Sequence, residues 1–249
     1  MHALSNTKLK FFDSLKQKKY RKEHGLYLAE GIKVVQEAFL TRQSIHALVV
    51  STSFLDKNTE IELPADITWH CSDKEFLRLS DLQAPEGILA VLQIPVHSFE
   101  VITPAFALWE IQDPGNVGTL LRTADWFGFQ AMYCSEGTVD CFNSKVVRAS
   151  MGSLFRLKVF YLDRKEFDEF VETNKTSLLA TSLRGTPINE LSLTSKNMFL
   201  LGNEAQGLPL DYLEKLQNVT IPRRGAAESL NVSSAGAVLA YCLSFSQNH

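Results

Sequence analysis

Three stretches in the C-terminal half of the chain bring amide, carboxylate, hydroxyl and guanidinium groups together with glycines. The first is Asp113-Pro114-Gly115-Asn116-Val117-Gly118-Thr119-Leu120-Leu121-Arg122-Thr123-Ala124. Its proline and glycines permit a tight turn. Asn116 can cap the following helix, its side-chain oxygen accepting from an early backbone N–H. Arg122 lies less than two turns further on. Alone, this stretch reads equally well as a cap and a solvated arginine. The second stretch, Gly202-Asn203-Glu204-Ala205-Gln206-Gly207-Leu208-Pro209, has two glycines that let backbone approach a ligand closely. Glu204 lies between them, although an ordinary strand-to-helix turn with an exposed acid looks the same. The third runs from Ile221-Pro222-Arg223-Arg224-Gly225 to Glu228-Ser229-Leu230-Asn231-Val232-Ser233-Ser234-Ala235. Ser229 and Asn231 precede the last helical pattern and could serve as caps alone.

These stretches exclude several chemistries. No G-x-G-x-x-G follows a strand, which disfavours a dinucleotide enzyme of the usual kind. Gly202 and Gly207 have P-loop spacing but lack the Lys-Ser/Thr that would hold phosphate and magnesium. H-E-x-x-H, G-x-S-x-G and the zinc-deaminase pattern are absent. The six histidines have no metal-ligand spacing, so no metal is expected. Cys71, Cys134, Cys141 and Cys242 form no C-x-x-C pair and read as idle thiols in a reducing cytosol.

The elements that position these loops follow from hydrophobic periodicity. IKVVQEAFL reads as an amphipathic helix, and HALVVS and GILAVLQIP as strands. Pro95 to Pro104 is the best domain boundary. Beyond it, FALWEIQ, QAMYCS, LKVFYL, SLLATSL, MFLL and VTIP read as strands alternating with helical patterns, ending in SSAGAVLAYCLSF. That alternation predicts an α/β fold with a mostly parallel sheet. Ligands then bind beyond the carboxyl ends of the strands. The expected division is an N-terminal domain over 1–97, a linker over 98–103 and a second domain over 104–249.

The 249 residues are 45% apolar, enough for a substantial core. Neither a signal-peptide core nor a membrane-length apolar run occurs, so a cytoplasmic protein without membrane contact is expected. The net charge of −3 argues weakly against nucleic acid. It conceals a basic run near the N-terminus, however, with Lys18, Lys19, Arg21 and Lys22 at its centre. That run reads as a phosphate contact or as a solvated helix end. Tyr20, Tyr27 and Trp126 could stack on bases, although Trp126 sits in an apolar helix pattern and reads better as core.

Taken together and in order, the three stretches resemble the signature motifs of the SpoU/TrmH family of RNA ribose 2′-O-methyltransferases. Asn116 to Ala124 matches N-x-G-x-x-x-R-T-A, Gly202 to Gly207 matches G-N-E-x-x-G, and Ile221 to Ser233 matches I-P-x-x-G-x-x-x-S-L-N-V-S. Arg148-Ala149-Ser150-Met151-Gly152-Ser153 resembles a further family segment. The likeness covers about residues 104–246. The N-terminal part is similar, more loosely, to the family's substrate-binding domain through Glu30-Gly31 and the basic run. Cys242 departs from the glutamate common in relatives.

The resemblance implies a C-terminal α/β domain with a trefoil knot, a small N-terminal α/β substrate-binding domain and a homodimer. It implies S-adenosylmethionine as methyl donor, held by Thr181 and Leu183, by Gly202, Asn203 and Gly207, and by Ile221, Ser229 and Leu230. Arg122 takes the central catalytic role. An arginine stays charged and makes a poor base, so gripping a phosphate and stabilising a developing alkoxide suits it better. Asn116, Glu204, Ser229 and Asn231 position Arg122, the hydroxyl or a phosphate. The RNA partner is structured, with ribosomal RNA ahead of transfer RNA. A non-catalytic RNA-binding relative is the alternative from another class.

Overall fold

The computed structural model describes residues 1–246, so the last three residues of the expected 104–249 domain lie outside the described residues. In chain order the first elements are β1 (His2–Ala3), α1 (Asn6–Ser14), α2 (Lys18–His24), β2 (Leu26–Glu30), α3 (Ile32–Leu40), β3 (Ile45–Ser51), α4 (Thr52–Lys57), β4 (Thr68–Cys71), α5 (Asp73–Leu79) and β5 (Ile88–Gln93). After them come β6 (Ala105–Leu108), α6 (Pro114–Trp126), β7 (Ala131–Ser135), α7 (Ser144–Ser150), β8 (Lys158–Leu162), α8 (Arg164–Thr173), β9 (Leu178–Pro187), β10 (Met198–Leu201), α9 (Leu210–Lys215), β11 (Gln217–Thr220) and α10 (Val232–Ser246). All the strands and helices read from periodicity are present.

The chain forms two units. Met1–Val96 and Asp140–Phe155 make the first; His97–Val139 and the residues from Arg156 onward make the second. The first break follows Val96, between Pro95 and Pro104. Asp140–Phe155, expected in the C-terminal domain, instead packs with the N-terminal unit.

The first unit holds a five-stranded sheet in the order β1-β4-β3-β5-β2. β1, β4 and β3 are parallel, and β5 is antiparallel to both its neighbours. Leu9, Phe12 and Leu15 meet Phe76 and Leu79 in its core. A capping box at Ser72 and Glu75 starts α5, a device worth ~1 kcal/mol. The 140–155 segment is held by polar and aromatic contacts. Phe142 packs on Tyr27 with ring centroids 5.0 Å apart, and the Ser144 hydroxyl donates to Asp81.

Arg21 is the main bolt of this unit, and the expectation that it touches RNA is corrected here. It is 2% exposed. Nε and Nη2 donate to Asp140 Oδ2 at 2.9 and 2.6 Å, and Nη1 donates to the carbonyls of Leu15 and Lys16. A buried guanidinium committed to a partly buried carboxylate and two helix-end carbonyls cannot also bind a phosphate. Nearby, Glu30 is buried and accepts from the Ser80 hydroxyl. Burial raises its pKa, while the Ser80 bond and the charge of Arg148 oppose the rise.

The second unit is built on a six-stranded, wholly parallel sheet in the order β11-β9-β10-β6-β7-β8. β6, β7 and β10 are buried at every position, as strands covered on both faces must be. Parallel strands end on one side of the sheet. The loops after β6, β10 and β11 therefore emerge at the same edge. α10 lies along α6, where Gly236 faces Leu120 so closely that a Cβ would come within 2.4 Å of its side chain. Trp126 is not core: it is 84% exposed. α6 turns Val117, Leu120, Leu121 and Ala124 inward and presents Thr119, Arg122 and Trp126 to solvent.

Candidate functional site where three loops meet

The first loop is shaped by Asp113 and Pro114. Asp113, not Asn116, is the N-cap of α6; its Oδ1 accepts from the backbone N–H of Asn116 at 2.8 Å, and Pro114 occupies the first turn. Proline has no N–H to satisfy there and its φ suits the helix. With the cap supplied upstream, the Asn116 side chain is free to reach outward.

It reaches both other loops. Asn116 Nδ2 donates to Glu204 Oε1 at 2.9 Å, and Asn231 Nδ2 donates to Asn116 Oδ1 at 2.9 Å. The other Glu204 oxygen accepts from the backbone N–H of Gln112 at 3.4 Å. Asn231 Oδ1 accepts from the N–H of Ser233 at 2.9 Å and of Ser234 at 3.3 Å, and from the Ser233 hydroxyl at 2.6 Å. Asn231 thus caps α10 and bridges to α6 at once. One chain of hydrogen bonds runs from the first loop through Glu204 and Asn116 to the start of α10.

The second loop is held in a narrow shape. Asn203 and Gly207 exchange backbone hydrogen bonds at 3.1 and 2.9 Å. Asn203 Oδ1 accepts from the N–H groups of Ala205 and Gln206, while Nδ2 donates to the Glu110 carbonyl at 2.8 Å. A Cβ on Gly202 would come within 2.5 Å of the Gly207 carbonyl carbon, so only glycine fits. Gly207 itself has φ +70°. Asn203 is therefore a brace for its loop, with its side chain fully engaged.

Arg122 is exposed on α6 and makes no hydrogen bond or ion pair among the described residues. Ser229 is exposed, as is the whole run from Pro222 to Asn231. Arg223 makes a single long contact, 3.4 Å to the Ala227 carbonyl. Thr181 spends its hydroxyl on the Leu200 carbonyl at 2.9 Å, joining β9 to β10. Leu183 is 75% exposed and Leu230 is 53% exposed, while Ile221 is half-buried. The positions expected to hold a donor thus include apolar side chains left open and a glycine cradle without room for a side chain. They fit a ligand with an apolar face and groups that pair with backbone.

Two contributors escaped the sequence reading. Gln112 acts through its backbone N–H, which no side-chain pattern reveals. Glu110 has φ 52°, which is uncommon for a residue with a side chain. Its carbonyl takes Asn203, and its N–H donates to the Ser135 hydroxyl at 2.8 Å. Gly137 leaves space for the Glu110 side chain.

Residues 104–241 match the SpoU rRNA methylase family. The chain is 30% identical over 250 residues to the 23S rRNA (guanosine(2553)-2′-O)-methyltransferase RlmP of Bacillus subtilis strain 168, covering 98% of each chain. The chain belongs to the SpoU rRNA methylase family. Residues 6–90 of this SpoU methylase match the MRM3-like substrate binding domain. Among solved structures it resembles a TrmH-family protein of Porphyromonas gingivalis, with TM-score 0.85 and 31% identity over 96% of this chain and 98% of that one. It also resembles an AdoMet-bound rRNA methyltransferase of Sinorhizobium meliloti, with TM-score 0.81 and 26% identity over 98% and 96%. In this SpoU methylase, Lys18, Lys19 and Lys22 stay exposed on α2, whereas Arg21 turns inward. No group of three His, Cys, Asp or Glu among the described residues could hold a metal ion, and no described helix is long and apolar enough to cross a membrane.

Proposed function

We propose that this chain methylates a ribose 2′-hydroxyl of ribosomal RNA, with S-adenosylmethionine as donor. The observation that carries the reading is the hydrogen-bonded chain Glu204–Asn116–Asn231, which ties the three motif loops into one site. The Bacillus subtilis relative, matched over 98% of both chains, is a 23S rRNA 2′-O-methyltransferase, which supports the same substrate here. The cytoplasm is the compartment that goes with it.

S-adenosylmethionine, when bound, supplies an electrophilic methyl on a sulfonium. The rest falls to the chain's own residues. Leu183, Ile221 and Leu230 offer the donor apolar contact, and the Gly202–Gly207 turn offers backbone groups at close range. Thr181 holds β9 against β10, and Ser229 adds a hydroxyl beside Leu230. Asn203 keeps the turn closed. Arg122, with no partner among the described residues, grips the phosphate beside the target nucleotide and stabilises negative charge as the hydroxyl gives its proton to solvent. Asn116, fixed by Glu204 on one side and Asn231 on the other, sets the direction from which the ribose approaches. Such orientation is a large share of what a transfer between two bound partners needs.

α10 carries no charged residue along its length, yet Tyr241 and Phe245 are more than half exposed. Their rings pack together, and Phe127 at the end of α6 meets Tyr241 edge-on. Beside them lies a groove of about 220 Å³ that Ile188, Leu191, Leu193 and Cys242 help to line. We assign this face to a second copy of the chain in a homodimer, because an uncharged aromatic surface is costly to leave in water. We further read the C-terminal stretch as the trefoil knot of the family. After β10 the chain crosses outside β9 to β11 and then returns to lay α10 on α6.

Methyl transfer in vitro tests the function. Purified protein, labelled donor and unmodified ribosomal RNA should yield label in nucleosides modified at the 2′ oxygen. Label on a base atom, or on transfer RNA alone, contradicts the reading.

A further inference from the structure

Outside the catalytic loops, the exposed part of α2 joins aromatic rings to cations. Tyr20 and His24, one turn apart, hold their rings within 7° of parallel with centroids 6.4 Å apart. Phe11 of α1 meets His24 edge-on at 4.9 Å, which extends the row to three rings. Tyr20 and Phe11 are partly exposed and His24 is exposed. Lys19 Nζ lies 5.6 Å from the centre of the Tyr20 ring; Lys10 is exposed on α1, and Lys18 and Lys22 are exposed on another face of α2. Glu23 is the single acid within α2. Arg21 anchors the helix from below through Asp140, and Gly25 closes it with φ 63°. The platform is therefore rigidly mounted.

We propose that this row is a base-stacking platform for an unpaired stretch of the RNA substrate, with the lysines following its backbone. The inference rests on the reading that the substrate is RNA. Charge decides the class of partner, because a lysine against the rings and further exposed lysines on the same helix suit a polyanion whose bases present flat apolar faces. Pairing decides its form. In a duplex the base faces are already covered, so only a splayed or single-stranded base can lie on Tyr20 or His24. The platform thus selects a loop or bulge, where the cations alone would accept any helix.

The test compares two probes on the full-length protein: a short single-stranded oligouridine and a duplex of the same length. Fluorescence anisotropy reads affinity, and calorimetry with S-adenosylmethionine reads the donor site. Tyr20→Leu should weaken single-strand binding about tenfold, the size of one lost base stack. Tyr20→Phe should keep it, and duplex and donor affinities should stay unchanged in both variants. Replacing Lys18, Lys19 and Lys22 with Gln should flatten the salt dependence for both RNAs. In methyl transfer, Tyr20→Leu should raise KM for RNA and leave kcat alone. Unchanged single-strand affinity in Tyr20→Leu overturns the proposal, as does an equal loss on both probes. The parent protein separates this from the functional reading. If it stacks single strands as described but never methylates ribose, the platform stands and the reaction assignment falls.

Discussion

Arg21 and Arg122 sit in the two units and are used in opposite ways. Arg21 is enclosed, with Asp140 and two carbonyls engaging its guanidinium. Arg122 stands in solvent on α6 with no partner among the described residues. A buried arginine with full hydrogen bonding stabilises the fold and is lost to the substrate. An exposed, unpaired one contributes little to folding and keeps its donors for a ligand. The same division runs through the carboxylates. Asp140 is spent on Arg21, whereas Glu204 orients an amide that faces the open site.

The sharpest way to break this comparison is to remove each arginine and read both stability and rate. Arg21→Ala removes a buried guanidinium and leaves the partly buried Asp140 without its partner, and should cost about 2–3 kcal/mol of unfolding free energy. A urea titration measures this, and an unchanged midpoint would show that the bolt holds nothing. The rate per folded molecule should stay near that of the parent. Arg122→Ala should do the reverse, lowering kcat on the order of 10²–10³-fold with the urea midpoint unmoved. Arg122→Lys should recover little, because an ammonium cannot make the paired contact of a guanidinium.

Smaller effects are expected in the three motif loops. Asn116→Ala and Asn231→Ala should each slow methyl transfer about tenfold, and the double variant should lose little more, because both break one hydrogen-bonded chain. Multiplied losses in the cycle would show that the two amides act separately. The smallest effect belongs to Glu30. Its pKa in the folded chain lies above the usual 4.5 because of burial, so the folded form holds that proton more tightly than the unfolded form. Stability from this group is therefore gained as pH falls from the raised value towards 4.5 and lost as pH rises through it. The difference in unfolding free energy between the parent and Glu30→Gln should move in the parent's favour across that window and level off below it. A constant difference with pH would contradict the shift.

The strand and helix runs were legible because apolar spacing is a local signal. So was the expectation that the loops beyond the strands' carboxyl ends hold the site, whereas the adjacency of β6 and β10 is not written in the sequence. What escaped depends on partners distant in sequence. In sequence Arg21 looks like its lysine neighbours, because its partner, Asp140, lies 119 residues later. The 140–155 segment carries the hydrophobic pattern of either unit, and only packing chose between them. Trp126 fits the apolar pattern of α6, yet it lies at the helix end on the outward stripe with Arg122. Asn116 looked like a cap because asparagine caps helices, but Asp113 before Pro114 filled that role and released the amide. Gln112 contributes through backbone alone and leaves no mark in residue type.

The most direct test of the central claim is a map of 2′-O-methyl groups on ribosomal RNA from cells carrying the parent protein and from cells carrying Arg122→Ala. The account predicts that a ribose methyl present with the parent disappears with the variant while the protein remains folded and abundant. Identical maps, or the loss of a methyl from a base atom instead, would contradict it.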